Sequence, residues 1–585
     1  MKPTIVRRRG RALASLTATM GLCLGAASVV SAPAQSAEPA GDCAARVPVS
    51  VAKGDPVTGL TVTGVGSSTA PEGFTGEVLG IVDDGIAPDL DMVMVRLSSP
   101  EIDRVGGIWQ GMSGSPVYGP DGELIGAVAY GLSFGPSPVA GVTPFVDMAS
   151  YLGPAPATRV DIGARAARVI AENSDVTAAQ ADRGFAQLPM PTGVSGVGQR
   201  RLEQAAQQSA AHRWMPTATY RMGAAAAPGD GAAGPETIVA GGNLAATVSY
   251  GDVTQGGVGT ATSVCNGKVV GFGHPMTFLG KTTLTLHPAD ALYIQDDPTL
   301  APYKVANLGA PAGTITDDHL AGITGTFGAL PATSVVSSTA SYLDRSRTGT
   351  SRVSVPQAAA STTFFQLLGN QDRVFDAVGP GSSVFSWTIQ GHEAGVGPFT
   401  LSVADRYASD FDISFEPAFD IADFVFALST IRGVKVDSVK MNSVIEDDSS
   451  TWAIARVEQR RAGAWRVVNG RHPAVGRAGR ELKLRAVLVS GRATTTAPVS
   501  LAIPRRAAGA EAELMVLGGA AAFSEDAFPS SVAQAKRFVR NHVRNDQVLI
   551  ELNAFGPRGV VRRVSESPAQ KKVVTGERFL PALIK

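Results

Sequence analysis

The chain has 585 residues, of which 51 are basic and 51 are acidic, so its formal net charge is zero. A balanced charge gives no long-range attraction to nucleic acid, and we expect no nucleic-acid partner. With 66 glycines, 37 prolines and 44% apolar residues, the composition is typical of a β-rich, turn-rich protein, and the length suffices for roughly three or four domains.

Residues 1–37 have the pattern of a secretory signal peptide. Lys2 and a run of arginines form a basic head, Ala12–Val30 is a small-residue apolar core, and residues 32–37 contain two small-x-small cleavage candidates. We therefore expect an exported protein, either secreted or in the cell envelope. Whether the signal is cleaved or kept as an anchor stays open, and no other stretch is long and apolar enough to span a bilayer.

Two cysteines, Cys43 and Cys265, remain once such a signal is removed. Two cysteines in an exported chain favour a disulfide between them. That bond would tie the mature N-terminus to the region just before His274.

Residues 44–155 combine short β-like runs with Gly, Pro and Asp turns, which predicts a small barrel or sandwich. Their centre is the segment GGIWQGMSGSP (106–116), which places Ser113 in a tight turn between two apolar β-runs. Gly111 and Gly114 let the backbone bend sharply and let a substrate approach closely. Such a turn suits a nucleophilic hydroxyl flanked by backbone N–H donors, although an ordinary Gly/Ser turn of a β-protein has the same composition.

The residues around Ser113 also separate two hydrolase designs. The nucleophile elbow of α/β-hydrolases has Gly-x-Ser-x-Gly at a strand-to-helix turn. Here Ser115 stands at the last position, and a Pro-Asp-Gly turn and a β-like run (124–130) follow instead of a helix. The sequence therefore favours a β-barrel serine peptidase over an esterase.

Residues 156–235 change character and are rich in Ala, Arg and Gln. Apolar residues at helical spacing, at 162–170 and again at 202–206, predict a partly helical connector. Its end, 224–235, consists almost entirely of Ala, Gly and Pro and predicts a flexible linker.

A second β-rich segment, 236–345, carries the most suitable histidine. His274 ends a β-run inside a Gly-rich corner, where an imidazole can project into a cleft. An imidazole is suited to take a proton from a serine, and a packed turn histidine is the alternative. His287 and His319 lie in polar turns and are expected to be solvated. No His/Cys/Asp cluster has a zinc-like spacing and no Gly-rich loop has a phosphate-binding pattern, so neither a metal nor a cofactor is predicted.

Alternating β-runs continue from about residue 350. Residues 350–505 predict a β-sandwich-like domain, with a short helix at Asp420–Ile431 between its strands. Residues 506–585 predict a helix at Ser530–Arg544, with apolar residues on one face, followed by a strand at Val548–Leu552.

Two segments, Gly107–Pro116 and Val270–Pro275, resemble motifs of the stage IV sporulation protein B peptidase family. Members of that family are serine peptidases with a chymotrypsin-like double β-barrel. The resemblance covers under half of the chain, roughly residues 60–150 and 240–335.

The resemblance implies a role for three residues. Ser113 is the nucleophile, His274 is the general base, and the backbone N–H groups of Gly111 and Ser113 form the oxyanion hole. This chemistry is consistent, because the histidine deprotonates the hydroxyl while the aligned donors stabilise the tetrahedral oxyanion.

The sequence departs from the family in three ways. The serine segment precedes the histidine segment, which a circularly permuted barrel pair would explain, because a catalytic site is defined by geometry and not by chain order. The family's acidic residue lies just before its nucleophile segment, but Leu97–Pro100 offers no carboxylate there, and Asp103, Asp317 and Asp318 stay open as substitutes. The family's interaction domain is not recognised before the serine segment, and a long C-terminal β-region is added.

We therefore predict a mainly β fold, with a circularly permuted chymotrypsin-like double β-barrel followed by a β-sandwich-like C-terminal region with a helix. Residues 44–155 would be the half that carries the serine, and residues 236–345 the half that carries the histidine. The predicted function is an exported serine endopeptidase that acts on a protein or peptide, with a narrow or self-directed choice of substrate. The alternative is a secreted, non-catalytic binding or scaffold protein on a degenerate peptidase fold.

Overall fold

The computed structural model describes most of the chain downstream of the predicted signal peptide. The described residues are 44, 48–132, 135–149, 159–160, 167–168, 171, 185–187, 192–216, 219–227, 232–298, 301–522, 527–556 and 559–585. The predicted signal peptide (1–37), Cys43 and most of the predicted connector before residue 192 lie outside them. Strands make up 50% of the described residues.

The first barrel carries the serine segment and is a closed antiparallel sheet. Its strands are β1 (Pro56–Thr61), β2 (Glu72–Ala87), β3 (Leu90–Ser98), β4 (Pro116–Tyr118), β5 (Leu124–Leu132) and β6 (Val139–Pro144). Hydrogen bonds join them in the order β1-β2-β3-β6-β5-β4, and β4 pairs back with β1, which closes the barrel. Val93 and Val95 point to the same side of β3 and share a core with Trp109 and Met112.

Short elements surround this barrel. Helix α1 (Pro100–Val105) follows β3, and the Oγ of Ser99 caps it by accepting a hydrogen bond from the backbone N–H of Ile102. The helix ends at Gly106, whose φ of 76° turns the chain into the nucleophile segment. The remaining elements are α2 (Phe145–Met148), which follows β6, and β7 (Arg159–Val160) and β8 (Phe185–Gln187), which extend the sheet beside β5.

The second barrel carries the histidine segment. The elements from residue 192 onwards are β9 (Thr192–Val194), α3 (Gln199–Gln207), β10 (Thr219–Arg221), β11 (Asn243–Gly251), β12 (Gln255–Cys265), β13 (Lys268–Gly271), β14 (Gly280–His287), β15 (Ala289–Gln295), β16 (Tyr303–Leu308), β17 (Gly313–His319) and β18 (Gly322–Phe327). Six of the strands pair in the order β11-β12-β13-β18-β17-β14, and β14 pairs back with β11, whereas β15 and β16 form a separate hairpin. Two closed six-stranded antiparallel barrels, with the serine barrel first, confirm the predicted mainly β double-barrel fold.

A helix-covered sheet follows the second barrel. Its elements are β19 (Ser334–Tyr342), β20 (Arg345–Val353), α4 (Ala359–Phe375), β21 (Gly381–Glu393), β22 (Gly397–Ser409), α5 (Phe415–Ser429) and β23 (Val434–Glu446). This sheet is continuous with the barrel, because β20 pairs with β11 and the order continues as β20-β19-β23-β21-β22. The predicted boundary between residues 345 and 350 therefore falls inside β20.

Helix α5 overlaps the predicted helix at Asp420–Ile431, but no helix is predicted where α4 lies. Nearly every side chain of α4 is buried, so the polar face that gives a surface helix its sequence periodicity is absent. Its buried polar residues find partners instead: Gln366 accepts a hydrogen bond from Ser351 (2.5 Å), and Asn370 donates one to the carbonyl of Ser338 (2.8 Å).

The C-terminal part is a β-sandwich of two sheets with a common core. Its elements are β24 (Trp452–Arg461), β25 (Ala464–Val468), β26 (Ala474–Gly476), β27 (Glu481–Ser490), β28 (Ala493–Ala502), β29 (Glu511–Gly518), α6 (Val532–Asn541), β30 (Val548–Gly556), β31 (Gly559–Glu566), β32 (Val574–Thr575) and β33 (Glu577–Ile584). One sheet has the order β25-β24-β27-β28, with β32 beside β24, and the other has the order β26-β33-β29-β30-β31. The α6 helix and the β30 strand lie where the sequence predicts a helix and a strand. In the part of the chain that the structure describes, no helix reaches the length and apolar content needed to cross a membrane.

A buried arginine joins α3 to the helix-covered sheet. Arg201 is 5% exposed and pairs with Asp372 on α4 at 2.5 Å and with Asp412 just before α5. Asp412 is buried as well, so water screens its charge only weakly. Removing one partner of such a pair leaves an uncompensated buried charge.

The Arg201→Met substitution is expected to lower the free energy of unfolding by about 3–5 kcal/mol, because it leaves two carboxylates without their cation. Urea denaturation followed by tryptophan fluorescence measures this change. Arg200→Met, at an exposed position of the same helix, is the control and should change the free energy by less than about 0.5 kcal/mol. A loss below about 1 kcal/mol for Arg201→Met, the range of a surface ion pair, would contradict the assignment.

Candidate active site

The nucleophile segment forms a tight turn between α1 and β4. Gly111 and Gly114 both have φ of 94°, in the left-handed region that favours glycine. A Cβ atom on Gly114 would lie 1.9 Å from the carbonyl oxygen of Thr260 and 2.5 Å from the backbone nitrogen of Phe272. Glycine is therefore required at position 114 for the turn to approach β12 of the second barrel.

Hydrogen bonds to two backbone carbonyls hold the nucleophile turn against β12. The N–H of Thr260 donates to the carbonyl of Ser113 at 2.8 Å, and the hydroxyl of Thr262 donates to the carbonyl of Gly114 at 2.7 Å. A reciprocal bond runs from the hydroxyl of Thr143 on β6 to the carbonyl of Gly273 at 2.6 Å. Each barrel thus fixes the backbone of the other one next to a candidate site residue.

This contact brings the two predicted side chains together. The Oγ of Ser113 lies 2.9 Å from the Nε2 of His274, within the range for a nucleophile and its general base. Ser113 is 1% exposed and His274 is 0% exposed, so bulk water is excluded from the pair. The corner at Phe272 and Gly273, both with φ of 70°, turns His274 from the end of β13 towards the first barrel.

The second ring nitrogen of His274 fixes the tautomer. Its Nδ1 lies 2.8 Å from the carbonyl oxygen of Pro275. A carbonyl can only accept a hydrogen bond, so Nδ1 carries the proton and Nε2 presents a lone pair to the hydroxyl of Ser113. A backbone carbonyl therefore occupies the place that a carboxylate takes in a Ser-His-Asp triad.

Burial lowers the pKa of His274 to about 4, against the opposing influence of the Pro275 carbonyl and the Asp318 carboxylate. Desolvation disfavours the charged imidazolium, which explains the direction. The imidazole is therefore neutral at pH 7, the form that can accept a proton.

Asp318 supports the backbone just after His274. One carboxylate oxygen accepts from the N–H of Met276 at 2.8 Å, and the other accepts from the N–H of Thr277 at 2.8 Å and from its hydroxyl at 2.6 Å. Asp318 is fully buried at the end of β17. It thus fixes the turn that begins with the carbonyl bonded to His274.

The other two carboxylates that the sequence leaves open have different surroundings. Asp317 pairs with Lys281 at 2.5 Å and with His319 at 3.3 Å. Asp103 is exposed on α1. Of the three, Asp318 is the one whose charge acts on His274.

The predicted oxyanion donors are the backbone N–H groups of Gly111 and Ser113. Neither the N–H of Gly111 nor that of Ser113 donates a hydrogen bond to an acceptor in the residues that the structure describes. Buried backbone N–H groups are rarely left without an acceptor, and both of these lie beside Ser113, where the sequence predicts the oxyanion hole.

Strand β16 sets the orientation of one donor. The N–H of Gln110 donates to the carbonyl of Pro302 at 2.7 Å, and the N–H of Lys304 donates to the carbonyl of Gln110 at 2.9 Å. In a trans peptide the C=O and the N–H point in opposite directions, so the N–H of Gly111 points away from β16. Sequence reasoning missed this role, because nothing in the residues of β16 indicates a parallel bridge to a segment almost 200 positions earlier.

His287 is buried, contrary to the expectation that it is solvated. It is 0% exposed, and its two ring nitrogens lie 3.0 Å from the hydroxyl of Thr247 and 3.0 Å from the carbonyl of Gly309. The cause is the pairing of β14 with β11, which places the end of β14 inside the fold. Burial lowers the pKa of His287 to about 4.

Cys265 is disulfide-bonded. Its predicted partner, Cys43, lies outside the described residues, so the pairing stays a prediction. No group of His, Cys, Asp and Glu side chains in the described ranges is arranged to hold a metal ion.

The chain matches no protein-family model, no curated protein and no solved structure. The class of protein therefore rests on architecture, and two closed six-stranded antiparallel barrels are compatible with the chymotrypsin-like fold. The relationship to the stage IV sporulation protein B family stays a prediction.

The buried histidines predict how stability depends on pH. In the unfolded chain His274 and His287 titrate near 6.5, whereas burial lowers both folded pKa values to about 4. The unfolded state therefore binds more protons between these values, and the free energy of unfolding falls as the pH is lowered from about 6.5 towards 4. Urea denaturation between pH 7 and pH 5 measures the slope.

A His287→Gln variant should show a shallower dependence on pH over this range, because one of the two histidines is removed. The control is His472→Gln, at an exposed position. An unchanged slope in His287→Gln would contradict the lowered pKa.

Proposed function

We propose that this protein is an exported serine endopeptidase in which Ser113 is the nucleophile and His274 is the general base. The observation that carries the proposal is the 2.9 Å contact between Ser113 Oγ and His274 Nε2 at the interface of two six-stranded barrels. The two N–H groups beside Ser113 that have no acceptor in the described residues support it further.

The reaction follows from these groups. His274 Nε2 takes the proton of the Ser113 hydroxyl as Oγ attacks the carbonyl carbon of a peptide bond. The resulting oxyanion accepts hydrogen bonds from the N–H groups of Gly111 and Ser113, each worth about 3 kcal/mol. The imidazolium then gives its proton to the leaving amine, and water, activated by the same imidazole, hydrolyses the acyl-enzyme.

The carbonyl of Pro275 fixes the tautomer of His274 as a triad carboxylate would, but it stabilises the imidazolium less. It keeps the proton on Nδ1, which is the tautomer that a general base needs. Because a carbonyl carries no formal charge, it stabilises the imidazolium less than a carboxylate does, and the charge of Asp318 supplies part of the difference. We expect turnover below that of peptidases with a full triad.

The proposed substrate is a protein or peptide of narrow sequence choice, or a segment of this same chain. The near-complete burial of Ser113 and His274 supports narrow choice, since a substrate must displace or fit into close surroundings to reach them. An exported location follows from the signal-like sequence at residues 1–37.

The first test is covalent labelling of the purified protein with a small fluorophosphonate, read by peptide mass spectrometry. We expect one adduct on Ser113, because an activated serine beside two oxyanion donors reacts far faster than other hydroxyls. The Ser113→Ala variant should lose the adduct, and Ser115→Ala is the matched control that keeps it. Absence of labelling at Ser113 in the folded protein would contradict the proposal.

The non-catalytic alternative has one observation in its favour, the carbonyl of Pro275 at the place of a triad carboxylate. It predicts no adduct on Ser113 and unchanged processing of cellular proteins in a strain that carries Ser113→Ala. The labelling experiment therefore separates the two functions.

Asp318→Asn is expected to slow phosphonylation of Ser113 about tenfold to a hundredfold, the range for a displaced catalytic group. The amide must turn an NH2 group towards one of the backbone donors, and the negative charge that favours the imidazolium is lost. The rate constant of labelling measures the effect. Asp103→Asn and Asp317→Asn are matched controls, and a loss in either that equals the loss in Asp318→Asn would contradict the choice among the three carboxylates.

A further inference from the structure

Lys304 is a buried lysine that the catalytic steps above do not use. It is 5% exposed and follows Tyr303, where β16 forms its parallel bridge to Gln110. Its Nζ donates to the side-chain oxygen of Asn243 on β11 at 2.8 Å. A buried amine with a neutral amide as its partner is unfavourable for folding, and Met or Leu would fill similar space. Its presence next to the nucleophile segment therefore points to a role in the site.

The side chain of Lys304 lies against the proposed oxyanion hole. A Cβ atom on Gly111 would lie 2.9 Å from the Cβ and 3.7 Å from the Cδ of Lys304. The backbone N–H of the same lysine holds the carbonyl of Gln110 at 2.9 Å. Lys304 therefore holds the Gln110–Gly111 peptide by a backbone hydrogen bond, and its aliphatic chain occupies the space that a side chain at position 111 would need.

The amino group ties this peptide to the rest of the site. Asn243, its partner, also donates to the carbonyls of Ala289 at 2.9 Å and Ser68 at 3.2 Å. Asn243 pairs across the sheet with Thr260, whose N–H binds the carbonyl of Ser113. The contacts thus form a closed path from the oxyanion peptide through β16, β11 and β12 back to the nucleophile.

We infer that Lys304 is a positioning residue for the oxyanion hole: its side chain ties β16 to β11 and thereby holds the N–H of Gly111 beside that of Ser113. This inference rests on the proposed peptidase function. Lys304 acts through Gly111 and does not itself touch the reacting atoms.

The protonation of Lys304 gives this role a measurable signature. The charged and titratable side chains on the elements around it are Glu101, Asp103 and Arg104 on α1, Tyr250 on β11, Asp290 and Tyr293 on β15, and Tyr303 on β16. Arg104 and Glu101 pair with each other at 2.6 Å. Burial lowers the pKa of Lys304 to about 7. A charged donor makes roughly twice as strong a hydrogen bond as a neutral one. The hydrogen bond from Lys304 Nζ to Asn243 therefore weakens as the pH rises through the pKa of Lys304.

Two limbs are therefore expected in the pH profile of phosphonylation. The rate rises with pH near 4, where His274 loses its proton, and falls near 7, where Lys304 loses its proton. The probe is the same small fluorophosphonate, whose phosphonyl oxygen must enter the oxyanion hole during the reaction, so no substrate has to be known.

The experiment compares Lys304→Met, Lys304→Arg and the control Lys268→Met, at an exposed position of β13. For Lys304→Met we expect the maximal rate of phosphonylation to fall about tenfold to a hundredfold, with the half-saturating probe concentration changed less than about twofold, because the interaction is made in the transition state. For Lys304→Arg, which stays charged at all accessible pH values, we expect the decline near pH 7 to disappear.

The outcomes distinguish a failure of the peptidase function from a failure of the role of Lys304. If the wild-type protein is not labelled at Ser113, the peptidase function fails and this inference fails with it. If the wild type is labelled but Lys304→Met keeps the wild-type rate, or Lys304→Arg keeps the decline near pH 7, only the role of Lys304 is overturned. A loss of thermal stability in Lys304→Met with an unchanged maximal rate would likewise assign the lysine to folding alone.

Discussion

The contact between the nucleophile turn and β12 is the constraint on which the candidate site depends. Ser113 belongs to one barrel and His274 to the other, and only a fixed relation between the barrels brings an oxygen and a nitrogen to 2.9 Å. That relation is fixed by backbone groups. The N–H of Thr260 donates a hydrogen bond to the carbonyl of Ser113, and the second barrel lies so close to Gly114 that a Cβ atom there would not fit. Close backbone approach of this kind positions a side chain more exactly than packing of flexible side chains does.

Much of this arrangement could be predicted from the sequence, because the relevant signals are local. The glycines around Ser113 indicate a sharp turn, the β-runs on either side indicate strands, and the Gly-rich corner before His274 indicates a projecting imidazole. The short alternating runs between turn residues indicated a small barrel or sandwich, and the pairing of two barrels was expected only from the family resemblance. Chain order was no obstacle, because the two segments meet in space although the serine comes first.

The features that the sequence did not predict depend on distant or featureless segments. Helix α4 is buried on all sides and so lacks the periodic polar face by which a helix is recognised. The acceptor of His274 Nδ1 is a backbone carbonyl, which every residue has, so no side-chain pattern could indicate it. Asp318 could be proposed only as one of three carboxylates, since its contacts with Met276 and Thr277 arise from the pairing of β14 with β17. His287 was misjudged because burial at a strand end depends on its neighbours across the sheet.

Strand β11 has a further consequence, because it belongs to two structures at once. It closes the second barrel against β12 and β14, and at Ser249–Gly251 it also carries β20 and the sheet beyond it. The side chain of Gln255 on β12 reaches Thr362 on α4, which reinforces the junction. A fragment trimmed to the two barrels would therefore leave unpaired backbone N–H and C=O groups along part of β11, and such an exposed strand edge promotes self-association. The second barrel and the helix-covered sheet thus share β11, and neither can be exchanged by recombination without rebuilding a strand of the other.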